Sequence, residues 1–180
     1  IYDNPVTVDL TTPANNSGDA AGDKFVSIEL ITGSNSDDRL IGGPGADGFN
    51  GRDGADFIDG NGGDDGIEGG AGADNLNGDV GNDTLTYQSS SQSVSVTLHG
   101  NFGADVSGGD AEGDIATSFE NLIGSNVGGK NGDTLTGDDG VNRIEGLDGD
   151  DKIFGLAGND ILIGGFGDDT LDGGKIVVSG

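Results

Sequence analysis

The chain has 180 residues, of which 39 are glycine, none is Cys, Met or Trp, and only 31% are apolar, which argues against an ordinary packed core. Thirty-three Asp and Glu against seven Lys and Arg give a net charge of −26, which sets aside nucleic-acid phosphates and membrane surfaces as partners and makes cations the natural counterpart. Without cysteine there is no disulfide framework or thiolate metal site, and no apolar run reaches membrane-spanning length.

Val6-Thr7-Val8-Asp9-Leu10 alternates apolar and polar residues and predicts a half-buried strand. The acidic phrase Gly18-Asp19-Ala20-Ala21-Gly22-Asp23 follows, then Ser27-Ile28-Glu29 and an incomplete nine-residue phrase from Gly33 to Ile41. From Gly42 to Thr86 that phrase runs without a gap as GGPGADGFN, GRDGADFID, GNGGDDGIE, GGAGADNLN and GDVGNDTLT. Each copy has Gly at position one, Asp at position six and a large apolar residue at position eight.

The strand-rich kind of sequence then returns. Val94-Ser95-Val96-Thr97-Leu98 repeats the first strand, while Gly109-Asp110-Ala111-Glu112-Gly113-Asp114, Ser118-Phe119-Glu120 and Gly124-Ser125-Asn126 repeat the later phrases of the first interval. A second run, GGKNGDTLT, GDDGVNRIE, GLDGDDKIF, GLAGNDILI and GGFGDDTLD, extends from Gly128 to Asp172. The chain therefore reads as a tandem duplication. Residues 1–86 form one module (flank 1–32, nonapeptides 33–86) and residues 87–180 another (flank 87–127, nonapeptides 128–180), with Tyr87 matching Tyr2. Ile1-Tyr2 and Gly173-Gly174-Lys175 read as fragments of further repeats, so the expectation is an excerpt from a longer array.

Three glycines in six residues permit a tight turn with positive φ, and positions seven to nine then form a short strand. Position eight alone points inward, with Leu40, Phe49, Ile58, Ile67, Leu76 and Leu85 in the first run and Leu135, Ile144, Ile153, Leu162 and Leu171 in the second. Two nonapeptides complete one coil, so repeats n and n+2 stack at roughly 4.8 Å and aspartates eighteen residues apart face each other. Facing carboxylates repel unless a cation lies between them. Hard oxygen ligands with open backbone carbonyls favour Ca2+ over transition metals and over the strictly octahedral Mg2+.

The nonapeptide closely resembles the calcium-binding repeat of repeats-in-toxin (RTX) proteins, and flank phrases such as Phe119-Glu120-Asn121-Leu122-Ile123-Gly124-Ser125 extend the resemblance over nearly the whole chain. It implies an all-β fold, a right-handed parallel β-roll (β-solenoid) in two tandem modules, each preceded by a strand-rich flanking segment. In that roll one turn contributes its aspartate and the carbonyls of positions two and four, and the turn eighteen residues on contributes its aspartate and the carbonyls of positions one and three.

Carried onto this chain, the resemblance joins Ser34, Ser36 and Asp38 to Gly51, Asp53 and Asp56, and Gly43, Gly45 and Asp47 to Gly60, Gly62 and Asp65. Arg52, Gly54 and Asp56 meet Gly69, Ala71 and Asp74, while Asn61, Gly63 and Asp65 meet Gly78, Val80 and Asp83. In the second run Gly129, Asn131 and Asp133 meet Gly146, Asp148 and Asp151; Asp138, Gly140 and Asn142 meet Gly155, Ala157 and Asp160. Leu147, Gly149 and Asp151 meet Gly164, Phe166 and Asp169. About seven interior calcium sites are expected.

The pattern has breaks. Asn142 loses a charge and marks the weakest site, Asp160 would need a partner at Val178, and Asn131 stands where glycine is usual. The flank acids Asp19, Asp23, Asp110, Glu112 and Asp114 are read as a solvated loop, with extra ions as the alternative. Seven calcium ions would cut the −26 charge to about −12 and relieve most of the self-repulsion. One apolar residue in nine does not offset the ordering of a glycine-rich chain, so folding and calcium binding are expected to be one event.

Functionally, the resemblance implies a calcium-responsive folding module of a protein secreted by a Gram-negative bacterium. A structural repeat of a surface layer, adhesin or filament is the alternative, with Phe154, Leu156, Ile161, Ile163 and Phe166 as a patch for self-association or for packing on a neighbouring repeat. Enzymatic function has little support. His99 is the single histidine and reads as a strand-end surface residue, and the paired acids are committed to metal.

Overall fold

The computed structural model describes residues 4–174, so Tyr2 and Val178 lie outside the described residues. Each repeat contributes one short strand, and each glycine-rich turn sends the next strand to the opposite wall of an all-β solenoid of about eight turns. Numbered along the chain, one wall begins with β1 (Thr7–Asp9), β3 (Arg39–Ile41), β5 (Phe57–Asp59), β7 (Asn75–Asn77) and β11 (Ile115–Thr117), in that spatial order. A second sheet of the order β10 (Ala104–Ser107), β9 (Ser95–Leu98), β13 (Thr134–Thr136), β15 (Lys152–Phe154) and β17 (Thr170–Asp172) lies beyond it, with β10 against β11. The opposite wall is one seven-stranded sheet: β2 (Leu30–Thr32), β4 (Gly48–Asp53), β6 (Gly66–Ala71), β8 (Thr84–Thr86), β12 (Asn121–Ile123), β14 (Arg143–Asp148) and β16 (Ile161–Phe166). It takes strands from both nonapeptide runs.

Within each run the strands pair in parallel at the eighteen-residue register, as in Leu40↔Ile58, Phe49↔Ile67, Leu135↔Ile153 and Ile144↔Leu162. Position eight thereby stacks into a continuous apolar ladder. Leu40, Ile58, Ile67, Leu76, Leu85, Leu135, Ile144 and Ile153 are fully buried. The ladder opens at the last rung, where Leu162 is half-buried and Leu171 exposed.

Two local expectations are corrected. Strands β4, β6, β14 and β16 span six residues rather than three, because pairing continues past the corner through Arg52↔Gly70 and Asp53↔Ala71, and through Leu147↔Gly165 and Asp148↔Phe166. Positive φ also falls outside the glycines: position two adopts it as Arg52, Asn61, Asp79, Leu147 and Leu156, while position four adopts it as Gly54, Gly63, Gly72, Gly149, Gly158 and Gly167.

The second flank is threaded into the same stack. After β8 the chain runs ahead to β9, which pairs in parallel with β13 and antiparallel with β10. It then returns to lay β11 on β7 (Ala116↔Leu76) and β12 on β8 (Leu122↔Leu85). Tyr87, Val96, Ala111, Ala116, Phe119 and Leu122 join the two nonapeptide ladders in one core.

Candidate metal centre

Position six is as ordered as position eight. Asp38, Asp47, Asp56, Asp65, Asp74, Asp83, Asp133, Asn142 and Asp151 are buried, and Asp160 and Asp169, on the open last rung, are half-buried. The same hydrogen bond joins all seven pairs expected from the sequence. The backbone N–H of the first residue donates to Oδ1 of the aspartate eighteen positions later, at 2.8 Å for Asp38–Asp56, Asp47–Asp65, Asp56–Asp74 and Asp65–Asp83. The distances are 2.7 Å for Asp133–Asp151, 3.1 Å for Asn142–Asp160 and 3.0 Å for Asp151–Asp169.

That bond leaves the other carboxylate oxygen over. In Asp56, Asp65, Asp74, Asp83, Asp151 and Asp160, Oδ2 is buried with no hydrogen-bond partner among the described residues, a costly state for a charged acceptor. Its surroundings are more oxygen. A methyl group at Gly51 would collide with both Asp56 Oδ2 and the Gly69 carbonyl oxygen; at Gly60 the pair is Asp65 Oδ2 and the Gly78 carbonyl, and at Gly146 it is Asp151 Oδ2 and the Gly164 carbonyl. Glycine at position one therefore keeps open the space where a carboxylate and the carbonyl of the next rung converge. Position four repeats the arrangement: Gly72 is crowded by the Gly54 carbonyl and Asp74 Oδ1, and Gly158 by the Gly140 carbonyl and Asp160 Oδ1. Acceptors crowded together without a donor form a cation cage. Among the described residues no three acidic or histidine side chains converge, so most ligands must come from the backbone, which suits calcium better than a transition metal.

Burial raises the Asp74 carboxyl to about 7 and those of Asp56 and Asp65 to about 6, with neighbouring carboxylates adding to the shift and backbone N–H bonds opposing it. Asp83, Asp133 and Asp151 are raised by the same burial. A divalent cation in the row reverses this preference for the neutral form.

The RTX calcium-binding nonapeptide repeat matches this chain in four copies, over residues 28–58, 50–85, 127–162 and 145–175, which together take in more than half of its length. The chain belongs to the RTX calcium-binding nonapeptide repeat family. No curated protein matches it significantly.

Within this RTX ladder the expected carbonyls divide by position. Those of position one, Gly51, Gly60, Gly69, Gly78, Gly146, Gly155 and Gly164, each lie beside the position-one glycine of the rung below. The position-three carbonyls of Ala71, Val80 and Phe166 instead accept N–H groups from Gly54, Gly63 and Gly149. The entry to the second run is built differently. Gly129 and Asn131 are exposed, and the Gly129 carbonyl accepts the Asp150 N–H. Gly124, rather than the position-one Gly128, stands beside Asp133 Oδ2 and the Gly146 carbonyl, and the Val127 carbonyl lies against Gly149 near Asp151 Oδ1. The signal was present in the match of Gly124-Ser125 to Gly33-Ser34; the four extra residues around Val127 bulge out.

Three position-six acids have Oδ2 taken by a backbone N–H: Asp38 by Ser34, Asp47 by Gly43 at 2.7 Å and Asp133 by Ser125 at 2.6 Å. Asn142 differs in kind. Its Oδ1 accepts the Asp138 N–H at 2.9 Å, and its Nδ2 donates to the Glu120 carbonyl at 2.8 Å. Its Oδ1 stands where the aspartates place Oδ2, beside Gly137 and the Gly155 carbonyl, and its amide hydrogen stands where their Oδ1 accepts a backbone N–H.

Of the flank acids, Asp19, Asp23 and Glu112 are exposed, Asp110 is half-buried, and Asp114 is buried rather than solvated. Asp114 Oδ1 accepts the Asp74 N–H at 2.9 Å, and Glu120 Oε2 accepts the Asp83 N–H at 2.8 Å. Both flank acids thereby continue the ladder. His99 is exposed at the end of β9, with Nε2 3.0 Å from Asp105 Oδ2. Of the apolar patch, Leu156, Ile161 and Phe166 are exposed and Phe154 and Ile163 half-buried.

Proposed function

We propose that this chain is a non-catalytic, calcium-folded RTX module of a secreted bacterial protein. The observation that carries this reading is the row of buried Oδ2 oxygens without donors among the described residues, with those of Asp56, Asp65, Asp83 and Asp151 crowded by backbone carbonyls. Seven calcium ions, one for each of the seven hydrogen-bonded pairs, supply the missing counter-charge and leave about −12 of the −26. In a calcium-poor cytosol the acidic chain stays extended and competent for export; in calcium-rich surroundings it condenses. Residues 1–86 and 87–180 act as two modules of one stack. The non-catalytic reading is supported by the commitment of the buried acids to the ladder and by the exposed hairpin position of His99. Circular dichroism during a calcium titration from chelator tests the proposal: the expected course is from disordered to β-rich, and a β-rich spectrum in chelator rejects it.

A second reading, calcium-dependent assembly into a surface layer or filament, is favoured by Leu156, Ile161 and Phe166, exposed beside the open last rung. Sedimentation in calcium distinguishes the two. Self-association abolished by Phe166→Ser supports assembly, and a monomer at all concentrations rejects it.

A further inference from the structure

We infer that Asp74 and Asp114 form a further calcium site, at the seam where the second flank docks on the first nonapeptide run. The inference rests on the calcium reading of the interior ladder and extends it to a residue outside every nonapeptide. Gly109 to Thr117 reads GDAEGDIAT, a disguised copy with Gly at position one, Asp114 at position six and Ala116 at position eight. The fold treats it as such. Strand β11 pairs in parallel with β7, placing Ala116 over Leu76, although the two are separated by a looped-out hairpin.

The carboxylate geometry continues with it. The Asp74 N–H donates to Asp114 Oδ1 at 2.9 Å, as each interior aspartate or asparagine donates to the aspartate eighteen residues on. Asp74 is 2% exposed, and its Oδ2 has no partner. That oxygen keeps the orientation of its equivalents, over the α-carbon of its own position-one residue, Gly69. Asp114 is 8% exposed, and its Oδ2 accepts the Tyr87 hydroxyl at 3.0 Å. Two N–H groups, that of Asp56 on Asp74 and that of Asp74 on Asp114, and the Tyr87 O–H still leave Asp74 Oδ2 without a donor among the described residues and two buried negative charges uncompensated, whereas a hard divalent cation supplies the charge, using lone pairs that both groups retain. The duplication supplies an internal control. Asp23, the equivalent of Asp114 in the first flank, is exposed and hydrogen-bonds to no position-six N–H among the described residues.

Tyr87 is one of only two tyrosines, and there is no tryptophan, so a terbium ion replacing calcium beside Asp114 is excited through Tyr87. The test uses the full chain, counting bound calcium by calorimetry and recording tyrosine-sensitised terbium emission. Asp114→Asn is expected to bind one calcium fewer than wild type and to lose most of the emission, while Asp23→Asn changes neither. Tyr87→Phe, which leaves both carboxylates in place, is expected to keep the calcium count and lose the emission. An unchanged calcium count in Asp114→Asn overturns the site. If that variant does not fold, undiminished emission in Tyr87→Phe overturns it instead. A wild-type chain that binds no calcium at all would instead reject the ladder reading beneath it.

Discussion

Replacing Asp65 with asparagine tests whether each aspartate serves two ions. Asp65 Oδ1 accepts the Asp47 N–H at 2.8 Å, and its own N–H donates to Asp83 Oδ1 at 2.8 Å. Its Oδ2 has no partner among the described residues and lies beside the Gly78 carbonyl. Asparagine that keeps the Oδ1 link turns Oδ2 into a donor aimed at that carbonyl. The metal-free roll therefore loses a buried unpaired carboxylate, and two calcium sites lose a charge at once. With calcium a hundredfold above its dissociation constant, each site stabilises the fold by about 2.7 kcal/mol, so abolishing both removes about 5 kcal/mol. Melting by circular dichroism across a range of calcium concentrations, together with a calorimetric ion count, reads the outcome. Two ions weakened, as at the Asn142 site, and a shallower rise of Tm with calcium are expected, with about 5 kcal/mol as the upper limit. Weakening of one ion alone, or an unchanged slope, would refute the two-site sharing of Asp65.

Asn142→Asp should have the opposite effect: it removes the amide donor to the Glu120 carbonyl, making the metal-free chain less stable and the calcium-bound one more so, which a steeper calcium dependence of Tm would register. Gly60→Ala puts a methyl group against Asp65 Oδ2 and the Gly78 carbonyl and should cost about 1–3 kcal/mol and weaken calcium binding. Gly66→Ala, in open space on β6, should be neutral or stabilise by about 0.4–1 kcal/mol; equal losses in the two alanine variants would contradict the cage. The pH dependence follows from carboxyls raised from 3.8 to about 6 for Asp56 and Asp65 and about 7 for Asp74. A raised carboxyl favours the fold when protonated, so its contribution to the metal-free roll is complete below about 4 and is lost as pH rises through 6 to 7. Chelated protein should gain β structure on acidification towards about pH 4, and the calcium midpoint should move to higher concentration below about pH 6, as protons compete for the same oxygens; a midpoint independent of pH would contradict this.

The period of the sequence determined the solenoid, the eighteen-residue register, the buried position-eight ladder and the seven hydrogen-bonded position-six pairs. It could do so because contacts in a stacked repeat are made only with adjacent rungs, so a local spacing becomes a spatial one. The same reasoning identified Asn142 as anomalous, though only the structure showed its amide donating to the Glu120 carbonyl. Other features were decided by tertiary structure. Which carbonyls face the carboxylates depends on which ones the ladder bonds already occupy, as with Ala71, Val80 and Phe166. Gly124 rather than Gly128 came to lie beside Asp133 because an insertion bulged outward. Asp114 and Glu120 joined the ladder forty and thirty-seven residues beyond Asp74 and Asp83, because β9 and β10 run ahead of the stack before β11 and β12 return to it. Where the chain loops out, distance along the sequence no longer measures distance along the stack, and only the folded chain shows which carboxylates meet.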